Sequence, residues 1–181
     1  MTGAADPIRF QATLLRPATP PDACWCFLLL PAAASAALPK RGLASVEGRF
    51  AGNPFQATLQ PDGQGGHWLQ VEEAMLAAAA VEVGTTMTLE IAPAAVEPEP
   101  VLPDDLARAL VAHPPARAAW DTLTTVARRD WIFWIGAGKQ AQTRVKRIAS
   151  TCDMLAAGKR RVCCFDRSGM YSKAFAAPQA Q

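Results

Sequence analysis

The sequence predicts an α+β protein: an N-terminal small six-stranded β-barrel followed by a C-terminal bundle of about four short helices. Three features predict it. Up to Ile91, apolar residues recur at every second position in short runs. A proline-studded stretch follows at Ala92 to Val101, and beyond it apolar residues recur at helical spacing. The chain has 181 residues, 50% of them apolar and 19% charged, enough to bury one ample core or two small ones.

The strands come first. From Ile8 to Arg16, Phe10, Ala12 and Leu14 share one face and Arg9, Gln11 and Thr13 the other. Ala23 to Leu30 is apolar on both faces, which predicts a central, covered strand; Pro31 ends it, and Ala32 to Leu38 follows as one or two helical turns. Ala44, Val46, Gly48 and Phe50 alternate with Ser45, Glu47 and Arg49, then Gly52-Asn53 supplies a hairpin turn. The return strand turns Phe55, Ala57 and Leu59 inward. Pro61-Asp62-Gly63 makes the next turn, and His67 to Val71 the next strand. A short helix over Glu72 to Ala80 precedes a last strand with Met87, Leu89 and Ile91 inward. Six short strands, each with one apolar face, predict a closed or nearly closed barrel.

The helices follow. Pro103-Asp104-Asp105 opens one over Leu106 to Ala112, because proline and acids suit a first turn. Pro114-Pro115 opens a second, running through Leu123. Thr124 or Thr125 caps a third that carries Val126, Trp131, Trp134 and Ile135, and Gly136-Ala137-Gly138 breaks it. A fourth runs to Ala156 with Val145, Ile148, Cys152 and Leu155 as its buried stripe, and Gly158 as its C-cap. The division that results is a barrel over residues 1–93, a Pro/Glu-rich linker over 94–102, a helical module over 103–160 and a flexible tail over 161–181.

Several function classes drop out. No basic-then-apolar leader stands at the N-terminus, and the longest apolar stretch, Cys24 to Leu38, is interrupted and too short to span a bilayer. These features predict a cytoplasmic protein. Five cysteines, with no C-x-x-C pair and two histidines, make a poor disulfide framework and a poor zinc site; Cys163 and Cys164 have no evident role. No phosphate-binding glycine loop, G-x-S-x-G elbow or H-E-x-x-H run occurs, so enzymatic activity is disfavoured and no cofactor or metal is expected.

Charge carries the functional signal. Residues 1–121 hold 7 Lys/Arg and 13 Asp/Glu, net −6; residues 122–181 hold 11 and 3, net +8. Two readings stay open: a surface for an anionic partner, or a basic module docked on an acidic barrel. On a helical wheel Lys139, Thr143, Lys146 and Arg147 lie away from the buried stripe and Arg144 at its border. These five are the candidates for contact with nucleic acid, a phosphate ligand or an acidic protein surface. Their alternative reading is a solvated helix face. His67 shares the parity of Leu69 and Val71 and points inward beside Gly63 to Gly66. With Arg41 it is the candidate for a small-ligand site at the barrel mouth, against a purely structural histidine bonded to a loop carbonyl.

The helical half carries Trp134-Ile135, Lys139, Thr143-Arg144, Arg147-Ile148, Leu155 and Gly158-Lys159. This run resembles the bacteriocin-protection family, also described as YdeI or OmpD-associated, whose hallmark is A-K-x-x-x-T-R-x-x-R-I. Gly138 stands where that family usually has alanine, and Gln142 where an acid is common. The first half resembles the small barrel domain of unknown function that often precedes it. The matching residues are Leu30-Pro31, Arg41-Gly42, Val46, Gly48, Gly52, Pro54-Phe55, Leu59, Pro61, Gly63, His67, Leu69 and Val71, with Thr85 in place of a typical acid. The resemblance itself implies only stress or bacteriocin protection, with no reaction attached; together with the charge split it predicts a non-enzymatic binding or stress-protection protein, its basic helical module contacting an anionic partner. The alternative is a small-molecule-binding barrel, or minor hydrolase, around His67. The oligomeric state is left open.

Overall fold

A computed structural model describes residues 6–138, 140–162 and 176–181. The chain divides into two compact units. One takes it as far as Val96 and includes residues 176–181; the other begins at Glu97. Each has its own hydrophobic interior.

The first unit is an antiparallel six-stranded sheet: β1 (Ile8–Thr13), β2 (Cys26–Leu29), β3 (Ala44–Phe50), β4 (Asn53–Pro61), β5 (His67–Val71) and β6 (Thr86–Pro93). Its spatial order is β1-β6-β3-β4-β5-β2. Past the end of β1, Leu15 and Phe27 exchange backbone hydrogen bonds of 2.8 and 2.9 Å, which brings the two ends of the sheet together into a nearly closed barrel. The alternation read from sequence fills it: Phe10, Val46, Phe50, Leu59, Leu69, Leu89 and Ile91 are buried together. Helix α1 (Ala32–Ala36) contributes Ala34, and α2 (Glu73–Ala79) packs Met75 and Leu76 on the same core.

Three details differ from expectation. The β3–β4 turn is centred on Ala51-Gly52, both at positive φ, with Phe50 paired to Asn53; the sequence reading placed it one residue later. Asn53 is instead the first residue of β4, and its amide donates to the Ala78 carbonyl at the end of α2, 3.2 Å away. The strand read as central, β2, stands at one end of the sheet order, where barrel closure buries Cys26, Phe27 and Leu28 and leaves Leu29 45% exposed. Of the tail expected over 161–181, residues 163–175, with Cys163 and Cys164, lie outside the described residues. Its last residues extend the barrel edge: Ala18 N–H donates to the Gln179 carbonyl at 2.7 Å, and Gln181 N–H to that of Arg16 at 3.0 Å.

The second unit holds α3 (Asp104–Ala112), α4 (Pro114–Asp121), α5 (Thr125–Gly136) and α6 (Ala141–Ala156). Thr124 caps α5 by accepting from the Ala127 N–H at 3.2 Å, as expected of threonine at an N-cap. The helix stops before Gly138, where the glycine pair predicted a break. Leu106, Leu110, Trp120, Trp131, Ile135, Ile148, Cys152 and Leu155 form the interior. Glu97 and Glu99, read from sequence as linker acids, are bound to α5. Arg129 donates to Glu97 at 2.6 Å and Arg128 to Glu99 at 2.6 Å.

No helix among the described residues is long and apolar enough to cross a membrane.

Candidate functional site

Four of the five basic-face candidates, Thr143, Arg144, Lys146 and Arg147, lie on α6, and the structure treats them very differently. Val145, read as the start of the buried stripe, is 66% exposed. The inward stripe is Arg144, Ile148, Thr151, Cys152 and Leu155, the first half-buried and the rest buried. A wheel drawn from side-chain polarity puts arginine outside. Its long aliphatic stem and a waiting carboxylate let it occupy an inward position instead.

That carboxylate is Asp105, in the first turn of α3. Arg144 Nε donates to Asp105 Oδ2 at 2.7 Å and Nη2 to Oδ1 at 2.9 Å, the two-pronged geometry that a planar guanidinium favours. Asp105 Oδ1 also accepts the Leu106 N–H at 2.9 Å. The Arg144 guanidinium, helped by that amide and opposed by partial burial, holds the Asp105 carboxyl below its ordinary range; Arg144 is pushed up in turn, chiefly by Asp105. Three residues on, Arg147 donates to the Trp134 carbonyl at 2.5 Å and lies 5.1 Å from the centre of the Trp134 ring. Trp134 belongs to the last turn of α5, where carbonyls lack helical partners and a cation is favourable. Arg144 therefore ties α6 to α3, and Arg147 ties α6 to α5.

The other candidates are placed as follows. Lys146 is exposed on the outward face of α6. Thr143 is half-buried against the chain entering the helix, where a Cβ on Gly138 would stand 3.1 Å from its Cγ2, a close but side-chain contact. Lys139 lies outside the described residues. Beyond α6, Arg160 donates to the Thr122 side chain at 2.5 Å, and Arg161 is exposed.

In the barrel, His67 is 1% exposed. Its Nε2 is 3.0 Å from the Gly42 carbonyl, and its backbone N–H donates to Ser35 Oγ at 3.1 Å. The ring thus lies beside the segment from α1 to β3. Gly63 to Gly66 is organised by Asp62, whose Oδ1 accepts the N–H groups of Gln64 and Gly66, both at 2.8 Å. Nδ1 of His67 is buried without a hydrogen-bond partner. Arg41 is exposed beside the glycine whose carbonyl the histidine engages. No group of three or more His, Cys, Asp or Glu among the described residues could hold a metal ion.

Comparison with protein families matches the bacteriocin-protection, YdeI or OmpD-associated model over residues 99–158, and the domain of unknown function DUF1905 over residues 10–91. The helical unit is similar to the bacteriocin-protection family. The barrel before it is similar to that domain of unknown function, so the resemblance read from the motifs holds for both units. No curated protein matches the chain. Within the bacteriocin-protection unit, the T-R-x-x-R-I run is accounted for by packing: Arg144 pairs with Asp105, Arg147 caps α5 and Ile148 enters the core. Sequence reasoning missed Glu97, Asp105 and Arg129 as partners, since nothing local couples residues 32 or 39 positions apart.

The Asp105 and Glu99 carboxyls give this unit a signed pH dependence. Both are held low by arginine hydrogen bonds, Arg144 for Asp105 and Arg128 for Glu99. A depressed folded-state value stabilises above the unfolded-chain value of about 4 and loses that contribution as pH falls through the folded value. The unit's thermal midpoint, followed by far-UV circular dichroism, is therefore expected to be level near neutrality and to fall below about pH 4. Asp105→Asn lowers the plateau and flattens the fall; an unchanged slope in that variant would contradict the assignment.

Proposed function

We propose that the chain is a non-enzymatic binding protein of the bacteriocin-protection family whose helical unit contacts an anionic partner. The supporting observation is the charge of the unit itself. From Glu97 to residue 174 the sequence has 13 Lys/Arg against 8 Asp/Glu, net +5, while the barrel unit has 5 against 8, net −3. The excess persists although Glu97, Glu99, Asp105, Asp121 and Asp130 all neutralise arginines inside the unit. Since Arg144 and Arg147 hold helices together, the contact falls to cations that face outward, Lys146 on α6 and Arg160-Arg161 beyond it.

The test is filter binding to nucleic acid and flotation with anionic phospholipid vesicles across a salt series. Binding driven by such a surface weakens steeply as salt rises. The double charge reversal Lys146→Glu with Arg161→Glu is expected to lower affinity about tenfold or more without changing the thermal midpoint, as these side chains are exposed. Absence of binding to either partner at low salt would end this reading.

A further inference from the structure

The barrel carries a cleft that the helical unit's charge does not explain. It has a volume of about 410 Å³, within the range of small-ligand sites, and lies over the middle of β3 and β6. Its apolar lining comes from Pro7, Pro54, Phe55, Ile91 and Ala92. Its charged lining is Glu47, Arg49 and Glu90.

These charges are only partly spent. In the register Arg9 stands opposite Glu90 and Glu90 opposite Arg49, so signs alternate across three strands. The Arg9–Glu90 pair is 3.5 Å apart with 71% and 38% exposure, longer than the roughly 2.7–2.9 Å of a strong charge-assisted bond. Arg49 donates from Nη1 to the Gly52 carbonyl at 3.0 Å, leaving its other N–H groups. Glu47 forms no ion pair among the described residues. A purely cationic ligand would meet Arg49 and a purely anionic one would meet two carboxylates. A molecule bearing both charges satisfies the set, and the apolar walls favour an apolar group between or beside them.

We propose that this cleft binds a zwitterionic ligand with an apolar side group, its ammonium held by Glu47 and Glu90 and its carboxylate by Arg49. The chemistry is shared by a free α-amino acid and a short peptide. A second cleft, of about 210 Å³ and sharing Pro54 and Phe55, is lined by Phe50, Ala74, Met75 and Ala78, room for a second apolar side chain.

Isothermal titration of the full chain with L-leucine, L-phenylalanine and L-leucyl-L-phenylalanine, and with the N-acetylated C-terminal amide of that dipeptide, tests the assignment. At least one unblocked probe gives saturable heat; tighter binding of the dipeptide identifies a peptide ligand, and equal or tighter binding of an amino acid identifies the free form. Glu47→Gln and Arg49→Gln, both at exposed positions, each weaken binding about tenfold while the thermal midpoint stays put. No saturable binding up to about 10 mM of any unblocked probe would overturn the proposal. Equal affinity for the blocked dipeptide, or indifference to both substitutions, would overturn it too.

Discussion

Replacing Gly48 with alanine is expected to unfold the barrel unit at temperatures where the unsubstituted protein is folded. A Cβ at this position would lie 1.9 Å from the Glu90 carbonyl oxygen, 2.8 Å from its carbon and 2.9 Å from Ile91 Cα. All three are backbone atoms of β6, the strand to which β3 is paired, so no side chain can swing aside. Relief requires β3 to leave β6, and that separates Val46 and Phe50 from Leu89 and Ile91 in the barrel core. Strain of this kind belongs with the largest single-residue effects, about 4 kcal/mol or more. Gly42→Ala is the matched control, because a Cβ there meets nothing within 4 Å and its change is expected within about 0.5 kcal/mol. Hydrogen exchange read by mass spectrometry separates the units. Gly48→Ala should lose protection in β3 and β6 while α5 and α6 keep theirs, and full protection of β3 would refute the argument.

Arg129→Ala carries the largest effect expected in the helical unit. Its side chain is 10% exposed, donates to Glu97 at 2.6 Å, and reaches Asp130 at 2.9 and 3.1 Å. Glu97 is itself 19% exposed, so removing the guanidinium takes a charged hydrogen-bond partner from a largely desolvated carboxylate. Breaking a buried pair from one side typically costs about 3 kcal/mol, whereas a solvent-reached pair such as Arg128–Glu99 is screened by water and contributes far less. Chemical denaturation followed by exchange in α5 should rank Arg129→Ala far below Glu99→Gln. Arg129→Lys should restore little, because an ammonium lacks the planar fork that reaches Glu97 from Nη1 and Asp130 from Nε and Nη2. Equal losses for the two sites would show that Glu97 is solvated.

Both cases mark where local pattern stops informing. Gly48 is visible in the sequence as an inward position on an alternating strand, yet a missing side chain there reads as a small gap. That it is a crossing point of two backbones depends on β6, some forty residues away. Glu97 and Glu99 read as the charged residues of a stiff proline-rich connection, and their arginine partners lie 29 to 32 residues on. Val145 and Arg144 exchanged roles for the same reason: periodicity assigns a face by polarity, while the actual face is chosen by what stands opposite. His67 was legible as a strand residue, since alternation is local, but its partners Gly42 and Ser35 come from another segment.

From the chain alone came the strand and helix periods, the glycine breaks, the caps at Thr124 and the family-bearing run from Thr143 to Ile148, all set by interactions within a few residues. Tertiary structure decided which charges face solvent and which face each other. It turned Arg144 and Arg147 from a contact surface into helix ties and left Lys146 outside. Coulomb attraction depends on distance in space, and the order of residues does not encode that distance.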